Sequence, residues 1–159
     1  MINTSLCYIK FQNKVLMLHR TKKHGDPNEG KWIGIGGKFN ENESPEECML
    51  REVSEETGMN LKSWRYRGIV TFVSDMWEGE YMHLFTAEAT DFEVSLCDEG
   101  ELQWIDEDQI PDLNLWEGDR VFLELLRKNE PFFSLKLIYE GDKLKEALLN
   151  GCDLKYSGT

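Results

Sequence analysis

From Arg51 to Gly58 the chain reads REVSEETG, and Glu52, Glu55 and Glu56 fall at positions i, i+3 and i+4. On an α-helix that spacing gathers three carboxylates on one face, able to converge on a single point. Like charges so placed repel, each pair costing roughly 0.3 kcal/mol. A helix that needed only solubility would interleave lysines, so this face asks for a cation. Hard divalent cations take oxygen ligands, and magnesium in particular combines a few carboxylates with waters and substrate phosphates. A glycine-rich turn over residues 34–37 lets backbone approach closely and lend a carbonyl oxygen. Arg51 lies within helical reach of Glu47 and Glu55 and is suited to hold the carboxylates in place. Glutamate is also a good helix former, and each of these residues alone would need no further reason. Their joint spacing does.

The elements that must position this cluster are legible around it. Ser44, Pro45 and Glu47 spell a capping box with proline in the first turn, and Gly58 is placed to end the helix in a left-handed cap. Met49, Leu50 and Val53 form the apolar stripe expected to face the core. Residues 4–11 and 14–20 read as a hairpin, and residues 21–31 as a loop rich in Gly, Pro, Asn and Asp. Further strands are expected over residues 68–74, 82–89, 102–105 and 132–139. Residues 116–129 predict a second helix with Val121, Phe122, Leu125 and Leu126 on its apolar side. Residues 141–151 fit either an extension of the last strand or a short helix. Strands and helices mixed without a regular βαβ rhythm suggest an α+β or α/β/α layered domain, with no linker or repeat to divide residues 1–159.

Composition bounds the partners. A net charge of −12 leaves no basic stripe for a nucleic-acid polymer. A small polyphosphate bridged to carboxylates by metal ions remains compatible with it. Apolar residues make up 40%, enough for a folded core, yet no apolar run reaches membrane length. The start of the chain lacks a basic-then-apolar signal pattern. Cys7, Cys48, Cys97 and Cys152 are scattered without a Cys-x-x-Cys pair and read as free thiols of a reducing cytoplasm. The three histidines, His19, His24 and His83, are too dispersed for a metal site. A monomer and a homodimer are both compatible with the sequence.

Gly37, Glu43 and the run from Arg51 to Met59 together resemble an unbroken Nudix box, G-x5-E-x7-R-E-U-x-E-E-x-G-U, with Val53 and Met59 as the bulky apolar residues. The resemblance implies an α/β/α sandwich with a mixed sheet and hydrolysis of a nucleoside diphosphate linked to another group, assisted by magnesium or manganese. It matches Glu52, Glu55 and Glu56 to metal ligands, and Gly36 to a glycine whose carbonyl joins them. Glu43 and Arg51 match the residues that brace loop and helix. Lys38 is placed to touch a phosphate, with Arg20 a second cation for the charge that develops there. The family adds an acid from outside the box. Glu99, in the acidic run 97–111, is the choice for a ligand or water-activating base, with Asp98 and Glu101 as rivals.

Residues 32–38, 101–111, 115–126 and 131–144 are similar to MutT-type enzymes that hydrolyse oxidised purine nucleoside triphosphates, notably the bacterial MutX-type 8-oxo-dGTP diphosphatases. In the human member, a tryptophan followed by two adjacent aspartates holds the base. Here Trp116 and Asp119 match, while Gly118 replaces the first aspartate and Ile33 replaces a base-reading asparagine. Trp116 offers a surface for stacking, Asp119 accepts hydrogen bonds from purine N–H groups, and Phe72 is placed to close the other side. Other leaving groups (ADP-ribose, a dinucleoside polyphosphate) and a catalytically idle nucleotide sensor stand as alternatives.

Overall fold

A computed structural model describes residues 1–154 apart from Lys23, Leu96 and Asp98. Strand β1 (Ile2–Phe11) turns at Gln12 into β2 (Lys14–His19), giving the expected hairpin. Two short strands follow the loop, β3 (Trp32–Ile33) and β4 (Ile35–Lys38). Helix α1 (Pro45–Thr57) precedes β5 (Leu61–Ser74), β6 (Glu80–Ala89) and β7 (Glu101–Asp106). A 3₁₀ turn over Glu107–Asp112 leads to helix α2 (Glu117–Arg127). Strands β8 (Phe133–Glu140), β9 (Lys143–Leu149) and β10 (Cys152–Asp153) complete the described chain.

The strands make one mixed sheet ordered β10-β9-β8-β5-β6-β1-β2-β3, with β4 also pairing β1 and β7 also pairing β2. The β1/β6 and β5/β8 pairs are parallel and the other pairs antiparallel. Two apolar clusters cover its faces. One holds Phe122 and Leu125 of α2 against Val70, Leu84, Leu135 and Leu137. The other holds Met49 and Val53 of α1 against Cys7, Ile9, Leu16 and Phe85. Each buried Leu or Phe contributes roughly 2 kcal/mol by leaving water. The helices therefore lie on opposite faces, and the layering is α/β/α.

Helix α1 has the ends its sequence specifies. Ser44 Oγ accepts from the Glu47 amide at 3.1 Å, and Glu47 Oε1 accepts from the Ser44 amide at 2.9 Å. Gly58 closes the helix at φ +67°. The inward stripe differs in one member: Leu50 is 41% exposed, and Cys48 is buried with Met49 and Val53.

The expected glycine turn is strand instead. Ile35, Gly36, Gly37 and Lys38 pair with Cys7, Leu6, Ser5 and Thr4. The glycine is needed for contact with the neighbouring strand, since a Cβ on Gly36 would fall 1.8 Å from the Ser5 carbonyl oxygen. Strand β5 starts seven residues earlier than the apolar pattern suggests, because residues 62–65 are exposed and polar or aromatic on both faces. Residues 141–151 resolve to a turn and β9. The register slips between Ile138 and Tyr139, so Leu144 and Ala147 both point inward at a spacing of three, which imitates a helix.

Candidate active site

Arg51 organises the outer side of the acidic helix. Its guanidinium donates to Glu43 Oε2 at 2.7 Å, Glu52 Oε1 at 2.8 Å, Glu55 Oε2 at 3.1 Å and the Lys38 carbonyl at 3.0 Å. Glu47 is taken by the helix cap, so of its two expected helical partners Arg51 engages Glu55. The network ties α1 to β4 and to the loop between them. Glu43, bonded by Arg51 and by the Asn40 amide, is held below its ordinary carboxylate range. Arg51 is pinned in its charged form.

The three helix carboxylates part company. Glu55 is 59% exposed on its side chain and turns outward to Arg51. Glu52 lies half-buried against β4, where a Cβ on Gly37 would come within 2.6 Å of its carboxyl carbon. Burial raises its pKa first of all, and Arg51 partly offsets this. Glu56 is 7% exposed. Desolvation pushes its pKa up to about 9, aided by a hydrogen bond with Glu99 and by the charges of Glu99 and Glu52. Among the described residues, no three acidic, histidine or cysteine side chains converge closely enough to chelate one ion. Glu52, Glu56 and Glu99 instead form an electrostatically coupled set.

The chemistry of these oxygen donors suits a divalent cation, although the described side chains are not drawn together around one point in this structure. Glu56 Oε2 is buried and has no hydrogen-bond partner among the described residues. A carboxyl–carboxyl hydrogen bond between Glu56 and Glu99 requires a shared proton, and an oxygen-seeking cation suits the same place. Glu99 is aimed there by Arg20, which donates to it at 3.0 Å and to Asp26 at 3.2 Å. Arg20 is thus occupied by two carboxylates and acts on the site through Glu99. Asp98 lies outside the described residues. Glu101 faces His19 in the β2/β7 ladder and does not line the cleft described next.

A cleft of about 650 Å³ runs from this cluster across the sheet. Glu52, Glu99, Gly36, Lys38 and Arg20 line one end. Phe72, Trp116 and Asp119 line the α2 side, and Ile33 also borders the cleft, so every residue expected to bind substrate borders one space. Arg51, Glu55 and Glu56 do not line it. Trp116 sits just before α2, 8% exposed, its indole N–H donating to Asn28 Oδ1 at 2.9 Å. Phe72 and Tyr139 meet it edge-on with ring centres 6.1 and 5.2 Å away, and Lys31 Nζ lies 5.3 Å from its ring. Asp119 is 7% exposed, and desolvation lifts its pKa to about 7. It does not cap its helix, since Trp116 precedes α2 without any side-chain cap bond. His83 bonds Tyr66 and Asn3 away from the cleft and is structural.

The family model of the NUDIX domain matches residues 2–126. This chain belongs to the Nudix family. It is similar to the uncharacterised Nudix hydrolase YvcI of Bacillus subtilis, at 32% identity over 78% of both chains. It is also similar to the oxidized purine nucleoside triphosphate hydrolase of Danio rerio, at 33% identity over 65% of this chain and 67% of that protein. Its fold matches a MutT protein from Bacillus halodurans with a TM-score of 0.81 at 24% identity, covering 94% of this chain and 98% of that one. Nudix hydrolases act on pyrophosphate bonds and use divalent cations. No helix among the described residues is long and apolar enough to cross a membrane.

Sequence reasoning passed over several cleft residues, Trp77 and Glu80 among them. The signal for Glu80 was present. It continues the inward alternation of Met82 and Leu84, where an acid has no packing reason to be.

Proposed function

We propose that this Nudix hydrolase cleaves purine nucleoside triphosphates, 8-oxo-dGTP foremost, to the monophosphate and pyrophosphate. The observation that carries the reading is the single cleft joining the coupled carboxylates to an aromatic pocket with a buried acid. Glu52, Glu56 and Glu99, with Glu55 and the Gly36 carbonyl beside them, are the groups to hold magnesium or manganese. When bound, the cation offsets polyphosphate charge and makes the attacking water a better nucleophile. Arg51 holds Glu52 and Glu55 against their mutual repulsion, and Arg20 aims Glu99. Lys38, exposed at the edge of β4, meets phosphate charge. At the far end Trp116 and Phe72 bound a flat base, and Asp119 meets its N–H groups. Ile33 supplies apolar contact where the human member's asparagine would hydrogen-bond. The protein's partner is this small nucleotide, met in the cytoplasm.

Incubation with magnesium and a nucleotide panel, with products separated by chromatography, tests the proposal. Monophosphate plus pyrophosphate from 8-oxo-dGTP, with kcat/KM well above that for dGTP, is the expected result. Preferential cleavage of ADP-ribose or a dinucleoside polyphosphate selects another leaving group, and binding without turnover selects a sensor.

A further inference from the structure

The strand registers place the cleft floor in rows across the sheet. Gly36, Leu6 and Leu84 form one row; Lys38, Thr4, Met82 and Val70 form the next. Ile2, Glu80, Phe72 and Leu137 form the third. At about 3.4 Å per residue, the third row lies about 13 Å along β1 from the Gly36 row. That is the direction and scale of a nucleotide laid from its phosphates to its base. In the third row Glu80 stands among Ile2, Phe72 and Leu137, the one acid of an apolar row, with Glu78 lining the same cleft. Directly paired residues have Cβ atoms about 5 Å apart, so the Glu80 and Phe72 side chains leave the sheet as neighbours. Asp119, on α2, lines the same cleft and is almost wholly buried.

Gly118 explains why a second acid comes from the sheet and not from α2. Its amide donates to Tyr139 Oη at 2.6 Å, and a Cβ there would meet Leu137 Cδ1 at 2.5 Å. The Leu137 and Tyr139 side chains fill the space that a side chain at 118 would take.

We propose that Glu80 and Asp119 form a two-carboxyl clamp, from opposite walls of the cleft, that reads the N–H-bearing edge of a purine, Glu80 being the specificity-determining residue of the sheet side. The proposal rests on the nucleotide reading above and deepens it. Asp119 feels the charge of Glu80, and each carboxyl is raised to about 7 by burial first of all. Lys38 and Glu78 bear on Glu80, while Lys31 and Arg120 bear on Asp119. Carboxyls raised to about 7 are partly protonated near neutral pH, so the two walls together offer both acceptors and donors. A guanine-type edge, with N1–H and the 2-amino group beside a carbonyl, complements that pair. A pyrimidine edge on a smaller ring does not span it.

The test is steady-state hydrolysis by wild type, Glu80→Gln and Glu80→Leu with magnesium, using 8-oxo-dGTP, dGTP, dITP (which lacks the 2-amino group) and dTTP. A buried hydrogen bond to a charged group discriminates by roughly 10- to 100-fold. The 8-oxo-dGTP to dTTP ratio of kcat/KM is therefore expected to fall by about that factor in Glu80→Leu and by less in Glu80→Gln. The wild-type preference for dGTP over dITP should shrink in the same order. Equal losses on all four substrates, or an unchanged ratio, overturn the clamp while leaving the nucleotide reading intact. Failure of the wild type to cleave any purine triphosphate overturns both. Should Glu80→Leu not fold, Glu80→Gln and the dGTP/dITP comparison in wild type still decide, since equal rates on dGTP and dITP contradict the clamp.

Discussion

Asp119 shows how a single residue trades stability for function. Burial raises its pKa from 3.8 to about 7, so between those values the folded protein holds a proton that the unfolded chain has lost. Stability contributed by the neutral form is complete below about pH 4 and declines as pH rises towards 7, reaching a deficit of up to about 4 kcal/mol above it. Asp119→Asn, neutral at every pH, should be more stable than wild type in urea unfolding at pH 8, with the difference vanishing towards pH 4. An equal offset at both ends of the range would show that the charge is not the cause. The same substitution should weaken purine selectivity, because an amide replaces one of the carboxylate's two acceptor oxygens with an NH₂ donor. Glu56 belongs to the same class of residue: a buried acid with an orphaned oxygen, tolerable in a fold only where something compensates it.

At the scale of elements, α1 and β4 act as one unit, and its weak point is Gly37. A Cβ at this position would collide with the Glu52 carboxyl at 2.6 Å, so Gly37→Ala displaces Glu52 more than it disturbs the strand. We expect kcat to fall at least tenfold with a stability loss within about 2 kcal/mol. Activity near wild type would mean that Glu52 need not lie against β4. Helix α1 was readable to the residue, since its cap residues act on backbone groups one turn away and carry their meaning locally. Gly36 misled for the opposite reason. A turn glycine and a glycine under a neighbouring carbonyl look alike in sequence, and only the β1 pairing separates them. The β8–β9 bulge hid a strand behind helical spacing in the same way. Leu50 was misplaced because the helix packs through Cys48 at the β1–β4 junction, a contact no local pattern encodes.

Across the whole molecule, the mixed sheet is what turns separate motifs into a site. Parallel pairing of β1 with β6 and of β5 with β8 brings Lys38, Glu80, Phe72 and α2 onto one floor. The box residues were legible because they lie within 24 positions of one another, 36–59. The base end was only partly so: Trp116 and Asp119 were proposed from likeness, whereas Glu80 became visible once the β1, β5 and β6 pairing set it in the cleft with Phe72. The account depends on a buried acidic cluster that recruits a divalent cation at the phosphate end of this cleft. Glu56→Gln tests it most directly, because a neutral isostere suits a site that already disfavours the charge and should fold as wild type does. With magnesium and 8-oxo-dGTP, kcat is predicted to drop at least about a hundredfold while thermal unfolding is unchanged. Turnover at the wild-type rate in that folded variant would contradict the account.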